Sequence, residues 1–503
     1  MNIVAGFISI FQPLNLLLIV IGVVVGVVFG AVPGFTGVMA IALLLPFTFS
    51  LDTVGGLLML LGVYCAGAFG GSVSSILIGT PGSPEAAATV LDGYPLAKKG
   101  KAYKALSMAA FASTVGGLIS AVSLLLFAPL IAKAALLFGP PEYFMLGIFG
   151  ITVIAGVSGN SIGKGIQAGC IGVFLTTIGL DQEAGVMRFT AGNIDLYSGI
   201  SMLPIILGAF ALNRVFQGVQ NSCRTSGSVD VQDMSSREKL TKQEYRSCMK
   251  TIGKSSIIGV IIGAIPAAGA DIAAWLSYNE AKRSSKDGAR FGTGVLEGVA
   301  APEAGNNAIT GASLIPLLTL GIPGSGGAAT LLGALMMHGL APGPSLFKEH
   351  GDTMYIIMLG LVFVNIFMYI IVKFLSRYFI HITRIPEKLL VAALLVIALF
   401  GAYISAGSQF DVLVALCAAA GIYVLTLFEF PVIPLILGFI LGPTIEANLR
   451  RSMVMLDGNL LQIFTRPICL MFVALSVFMV VLSKKTLTNP ETQGDVQLEG
   501  QEE

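Results

Sequence analysis

Long apolar stretches separated by short polar ones occupy most of the chain, near residues 14–31, 36–49, 55–79, 105–131, 143–157, 165–180 and 196–217. After a polar loop a second series runs near 256–278, 308–338, 354–379, 389–406, 410–428, 431–443 and 466–482. A helix needs about 20 apolar residues to cross the hydrocarbon layer, whereas a membrane barrel strand shows about ten alternating ones. The pattern predicts an all-α integral membrane protein with roughly 12 transmembrane helices, some shortened or interrupted by Gly and Pro. Four parts follow: an N-terminal membrane repeat at 1–217, a cytoplasmic linker loop at 218–255, a C-terminal membrane repeat at 256–483, and a polar, acidic, disordered tail at 484–503.

The two membrane parts resemble each other. GVVFGAVPG at 26–34 matches GVIIGAIPA at 259–267, and GTPGS at 79–83 matches GIPGS at 321–325. The order is the same, and the separations are 233 residues (Pro33 to Pro266) and 242 residues (Pro81 to Pro323), which indicates duplication. Positive charge, which concentrates in cytoplasmic loops, has opposite placement around the copies. Residues 1–13 carry no Lys or Arg, while Arg224, Arg237, Lys239, Lys242, Arg246, Lys250 and Lys254 precede the second copy. Lys98, Lys99, Lys101 and Lys104 follow the first copy, while Lys348 after the second stands beside Glu349 and near Asp352. The expectation is two inverted repeats, with the N-terminus outside and no cleavable signal peptide.

Each copy holds two interruptions. Residues 256–278 have basic flanks on both sides, which a single crossing cannot place on one face, so they read as a re-entrant hairpin with arms of about ten residues. Its tip is at Pro266 and Gly269, and by symmetry the first copy turns at Pro33 and Gly34. The second interruption is a broken helix. In ILIGTPGSPEAAATVL the first arm stops at Gly79, and Ser83 with Pro84 can start a new helix; in LLTLGIPGSGGAATLL the break runs from Gly321 to Gly327, with Ser325 in the capping place. A new helix presents free N–H groups and the positive end of its dipole, so two such ends can hold an anion without Lys or Arg. A carboxylate is the natural guest. The binding candidates are Thr80, Pro81, Gly82, Ser83, Gly324, Ser325 and Gly326, with Asn306 and Asn307 supplying side-chain amides.

Composition narrows the chemistry. Hydrophobic residues make up 55% of the chain and charged ones 11%, and 29 Lys plus Arg against 28 Asp plus Glu leave no basic excess for nucleic acid. Six scattered cysteines act as small hydrophobes, and three histidines cannot build a metal centre, so no cofactor or resident metal is expected. Intramembrane acids are costly and functional, which makes Glu85, Asp271 and Glu303 candidates for coupling to a proton or a transiently bound sodium ion. Asp92 reads as a turn or cap residue, Trp275 as packing for a hairpin arm, and Lys98 to Lys104 as topology determinants touching lipid headgroups. GNSIGKG at 159–165 fails as a phosphate-binding loop because Ser158 replaces the first Gly and Gly165 follows the Lys. An intramembrane hydrolase lacks an assignable base for Ser325. A passive anion channel is the stronger alternative, since helix ends also select anions.

With these motifs the chain resembles the large membrane subunit of the tripartite tricarboxylate transporters. The resemblance is carried by GAVPGFTGVMAIALLLPFTF (30–49), GGSVSSILIGTPGSPEAAATVLDGYPLAKKGKAYKAL (70–106) and GVLEGVAAPEAGNNAITGASLIPLLTLGIPGSGGAATLLGALMMHGLAPGPSLF (294–347). It implies a non-enzymatic, multi-pass permease of the bacterial inner membrane. Its partners would be a small membrane subunit and a periplasmic solute-binding protein that delivers carboxylates, with import driven by a proton or sodium gradient.

Overall fold

A computed structural model describes residues 3–157, 161–181, 184–222, 238–266, 269–383, 385 and 387–488. The chain is helical almost throughout; among the described residues the strands are the short pair Gly179–Leu180 and Met187–Arg188. Among the described residues seven helices are long and apolar enough to cross a membrane: Pro13–Ala31, Thr53–Ile78, Pro84–Ala135, Met202–Gln220, Gly351–Leu375, Gln409–Leu427 and Val432–Met455. Shorter apolar helices of 10–17 residues accompany them. The all-α membrane fold is the one expected.

One order of elements occurs twice. In the first copy α1 (Pro13–Ala31) turns into α2 (Gly37–Thr48), then come α3 (Thr53–Ile78), a break, α4 (Ala87–Leu96, entered through a 3-10 turn at Pro84–Ala86) and α5 (Ala102–Ala135). In the second, α6 (Lys242–Ala264) turns into α7 (Ala270–Ser284), followed by α8 (Leu296–Ala312), α9 (Leu314–Leu320), a break, α10 (Gly326–Met337) and α11 (Gly351–Leu375). Local chemistry starts these helices: Thr36 accepts from the Met39 N–H, Asp52 from the Gly55 N–H, and Thr241 with Glu244 forms a reciprocal capping box.

The packing repeats residue for residue. A Cβ on Gly26 would stand 2.6 Å from the Val63 carbonyl oxygen, and one on the matching Gly259 2.3 Å from that of Gly305. Backbones this close exclude any side chain, which is how small residues draw apolar helices together without a hydrophobic driving force. The copies also exchange contacts, α3 lying against α11 and α8 against α5. The central helices are consequently buried, α8 at every residue from Gly298 to Ala312 and α3 almost as completely.

Two compact units emerge, Met1–Leu137 with Ser201–Tyr423, and Phe138–Ile200 with Val424–Glu503. The first contains α1–α11. In the second, helix Val432–Met455 packs on Ile162–Thr176 through mutual glycine approach, Gly172 on the Leu435 carbonyl and Gly438 on that of Gly169. Within it Arg466 pairs with buried Glu142, and Arg188 and Arg450 pair with Glu446 and Asp181.

The hairpin arms correct the expected length of about ten residues. They have 19 and 12 residues in the first copy and 23 and 15 in the second. Helix α6 begins 14 positions before the apolar segment because the Thr241 capping box starts it within polar sequence. The ends of the linker are thus helical, at Asn213–Ser222 and from Lys242; residues 223–237 lie outside the described residues, as does the tail from 489, and helix Pro467–Thr488 runs past Lys485.

On α6, Gly259→Ala should lower the melting point of the detergent-purified protein by the equivalent of about 1–3 kcal/mol. Gly253→Ala on the same helix, where a Cβ meets nothing within 4 Å, should leave it unchanged or raise it slightly. Equal effects would show that the close approach does not govern stability.

Candidate functional site

Turns and breaks meet in the first unit. Helix α1 ends at Ala31, and Gly34, at φ +78°, reverses the chain before α2. The corresponding turn passes Pro266 to Gly269, at φ +81°, with residues 267 and 268 outside the described residues. Helix α3 stops at Gly79 (φ +68°) and α9 at Gly321 (φ +76°), a left-handed conformation that glycine adopts without strain. Each break is then locked to its own hairpin: a Cβ on Gly82 would lie 2.5 Å from the Gly30 carbonyl oxygen and one on Gly324 2.8 Å from that of Gly263. The Gly82 N–H donates to the Gly71 carbonyl (3.2 Å) and the Gly269 N–H to that of Gly324 (3.4 Å). The partners also cross, since α7 packs on the 3-10 turn at Pro84–Ala86 and α2 on α10.

The two breaks share a backbone path and differ in chemistry. At the second, Ser325 caps α10 by accepting from the Ala328 N–H (3.2 Å), while Gly326 and Gly327 open the helix with the N–H groups that a first turn leaves without intrahelical partners. The Tyr64 hydroxyl bonds both Ser325 and Ser313 at 2.9 Å, and its ring covers Gly327. At the first break Pro84 has no N–H and the Ala86 N–H is taken by the Ser83 carbonyl (3.0 Å). Glu85 occupies this helix start, where Gly327 stands in the other copy, and so meets the dipole's positive end with its own carboxylate. Thr80 and Pro81 are exposed, Gly82, Ser83 and Gly324 buried, and Ser325, Gly326, Pro33, Pro266 and Gly269 half-buried; Gly34 is exposed.

Asn306 and Asn307 are fully buried on α8. Asn306 donates to the Ala68 carbonyl (3.2 Å) and Asn307 to that of Glu303 (3.5 Å), and the amide oxygen of each has no partner among the described residues. What they present is an acceptor, which suits a cation or a protonated group better than a carboxylate. Glu303 does not reach the breaks. It accepts from Ser72, from Thr89 (2.5 Å) and from Ser113 (2.9 Å), tying α8 to α3, α4 and α5. Asp271 sits in the first turn of α7, half-buried, on the helix that packs against the Glu85 turn.

Residues 16–437 match the family described as "Tripartite tricarboxylate transporter TctA family". The chain belongs to this TctA family. It is similar to the "Uncharacterized 52.8 kDa protein in TAR-I ttuC' 3'region" of Agrobacterium vitis, 35% identical over 483 residues that cover 96% of this chain and 95% of that protein. It is also similar to the "Uncharacterized protein in TAR-II ttuC' 3'region" of the same organism, 34% identical over 225 residues, or 45% of this chain and 93% of the relative. No solved structure matches. As a TctA protein the chain is a multi-pass membrane protein of a tricarboxylate transporter family, a large transport subunit rather than an enzyme.

Other expected roles can now be placed in this TctA chain. Asp92 is a structural clamp, accepting from the Tyr278 hydroxyl (2.9 Å) and from the Gly292, Gly294 and Val295 N–H groups at the start of α8. Trp275 packs with Tyr278 and Leu91 around Ala88. Within the lysine cluster Lys104 departs from the expected headgroup contact, being buried between Glu238 (2.6 Å) and Glu244 (2.7 Å), while Lys98 and Lys99 are exposed and Lys99 donates to the Thr293 carbonyl. Lys104 holds the Glu238 carboxyl below the usual carboxylate range. Two residues escaped sequence reasoning. Tyr64 stands 242 positions before Asn306, at the duplicated place in α3, a signal the repeat offset carried. Arg214 is the lone charge in Met202–Gln220 and touches the α1–α2 turn.

Replacing Glu303 by Ala strands three buried hydroxyls and should destabilise the protein by about 3 kcal/mol or more, whereas Ser113→Ala removes one donor and should cost about 1 kcal/mol. Thermal unfolding of the purified variants checks the ranking; equal losses would mean that the three bonds do not act together.

Proposed function

We propose that this chain is the permease subunit of a binding-protein-dependent secondary transporter that imports tricarboxylates or related carboxylates across the bacterial inner membrane. A periplasmic binding protein delivers the substrate, a small membrane subunit completes the complex, and a proton or sodium gradient drives uptake. The observation that carries the reading is the division of labour between the breaks. Donors gather at the second, where the Ser325, Gly326 and Gly327 N–H groups open α10 beside the Tyr64 and Ser325 hydroxyls. A carboxylate there gains charge-assisted hydrogen bonds without bringing a basic side chain to that helix end. Acceptors gather around the first, with Glu85 on the helix start, Asp271 on the α7 helix packed against it, and on α8, at the place Tyr64 holds in α3, the Asn306 oxygen, which has no partner among the described residues.

Anion and cation would then bind in duplicated, oppositely furnished cradles that share the α3 and α8 frame. Half-helix ends facing anionic groups while nearby carbonyls and carboxylates take the coupling ion is a recurring arrangement in inverted-repeat transporters. The sodium ion or proton would offset the cost of bringing the substrate anion into an apolar site. Thr80 and Pro81 fit a gate position because they are exposed at the first break, and the paired hairpins fit moving elements of an elevator or rocking step.

Uptake of labelled citrate, succinate and benzoate into cells, with and without the two partner proteins and before and after collapse of the gradients, tests the reading. Accumulation above equilibrium that requires all three proteins and a gradient is expected. Ser325→Ala should raise KM three- to thirty-fold with coupling intact, and Glu85→Gln should leave equilibration that no longer responds to the gradient. Gradient-independent flux through the wild-type chain alone would replace the transporter reading by a channel.

A further inference from the structure

Three helix ends meet at one edge of the first unit: the start of α5, the start of α6 and the end of α11, with α6 and α11 both packed on α5. Between them lies a pocket of about 180 Å³, which has room for a phosphodiester rather than a single water. Leu106 of α5 and Val372 of α11, both buried, give it an apolar lining. Tyr103, Tyr245 and Tyr369 add half-buried phenol walls, and the Phe111 ring meets the last two edge-on, with centroids 4.7 and 6.4 Å away. Tyrosines gathered at one level of a membrane protein suit the headgroup layer, where the ring stays in apolar surroundings and the hydroxyl stays wet. Two exposed cations complete the lining, Lys239 ahead of α6 and Lys373 in the last turn of α11. The neighbouring acids are already engaged, Glu238 by Lys101 and Lys104 and Glu244 by Lys104, and neither Lys239 nor Lys373 forms an ion pair among the described residues. The pocket thus holds positive charge that the protein does not compensate. An apolar track leads away from it: Ile366 and Ile370, both exposed, precede Lys373 by seven and three positions and so share its face of α11. A soluble anion would use the charge alone, whereas an amphiphile uses both the charge and the track.

We propose that this pocket binds the phosphodiester headgroup of an anionic glycerophospholipid of the cytoplasmic leaflet, with an acyl chain lying along Ile366 and Ile370. The inference stands apart from the choice of transported substrate. Lys239 and Lys373 neutralise the phosphate, the tyrosines offer hydroxyls at the same depth, and the apolar lining takes the glycerol. A zwitterionic headgroup carries its own ammonium to the two lysines and gains less, so the site selects lipids of net negative charge. Seated there, the headgroup bridges the segment that enters α6 to the end of α11, which joins the outer arm of the second hairpin to the long helix of its own copy.

The test is a native mass spectrometry titration of the full chain, purified in detergent and delipidated, with phosphatidylglycerol, phosphatidylcholine or inorganic phosphate. The first phosphatidylglycerol should bind the wild type about ten-fold or more tightly than phosphatidylcholine does. Lys239→Gln combined with Lys373→Gln should weaken it by about thirty-fold, since each basic residue contributes about five-fold at a headgroup. Lys282→Gln combined with Lys286→Gln, the same change of charge at exposed lysines outside the pocket, should leave the affinity within about two-fold of wild type. Equal affinity for phosphatidylglycerol in the wild type and the pocket variant, or equal binding of the two lipids by the wild type, overturns the site. Phosphate binding as tight as that of the lipid, and lost in the same variant, would make the pocket a site for a soluble anion and overturns the lipid as its occupant. If the double variant is not monodisperse after purification, Lys373→Gln alone decides: a Kd raised about five-fold supports the site, and an unchanged Kd overturns it.

Discussion

A helix that stops within an apolar layer leaves N–H and C=O groups that lipid cannot satisfy, so every such stop must be enclosed by protein. The repeated core holds two broken helices, α3 with α4 and α9 with α10, and their packing answers this requirement. The Gly82 and Gly324 positions lie so close to the Gly30 and Gly263 carbonyls that neither tolerates a Cβ, and the Gly82 and Gly269 N–H groups find backbone acceptors in the neighbouring segment. The enclosing material has to come from the helices that carry the breaks and from their partners in the other copy. This is why α3 and α8 are buried along nearly their whole length, and why each half packs its long helix, α5 or α11, against the other half's centre. The duplicated architecture is the geometry in which two broken helices can satisfy one another's surroundings.

A shared backbone does not impose shared chemistry. Once the path of the chain is held by glycine contacts, side chains at matching positions are free to diverge, and they have done so in opposite senses. Tyr64 in α3 bridges Ser313 and Ser325 over one break, while Asn306, its counterpart in α8, bonds the Ala68 carbonyl and has an amide oxygen without a partner among the described residues. Gly327 brings no side chain to one helix start where Glu85 brings a carboxylate to the matching one. Donors therefore collect on one side of the duplication and acceptors on the other. The same dipole attracts anions at both helix ends, and only the end that has not supplied its own anion keeps that attraction for a ligand.

The breaks and turns were legible in the sequence because their signals are local. Gly-Thr-Pro-Gly-Ser and Gly-Ile-Pro-Gly-Ser combine a left-handed glycine, a proline that interrupts bonding and a serine in the capping place, and each appears where expected. The hairpin arms were read too short because apolar content marks where a helix meets lipid, whereas α6 starts from a capping box in polar sequence. Lys104 looked like one of four interchangeable lysines; only the fold brings Glu238 and Glu244 to it, from more than a hundred residues away. The Glu303 hydroxyl partners were equally hidden, since Ser72, Thr89 and Ser113 are unremarkable in three separate helices and meet only when those helices pack.

The acids at the centre divide by the same argument. Glu303 accepts from hydroxyls on three other helices and so holds α3, α4, α5 and α8 in register. Glu85 and Asp271 are placed differently, on a 3-10 turn and a hairpin arm that pack on each other, and neither forms an ion pair among the described residues. In the proposed mechanism a proton or cation arriving there would change the balance of that contact, while one arriving at Glu303 would have to displace a bond that closes the core. Coupling requires that the two ligands bias one shared element, and by linkage each then strengthens the other's binding by the same factor. The hairpin arms are the elements that touch both breaks, because α7 packs on the start of the first broken helix and α2 on the second. In the proposed mechanism that crossed contact, more than any single side chain, would let an acceptor-lined cradle and a donor-lined cradle sense each other's occupancy.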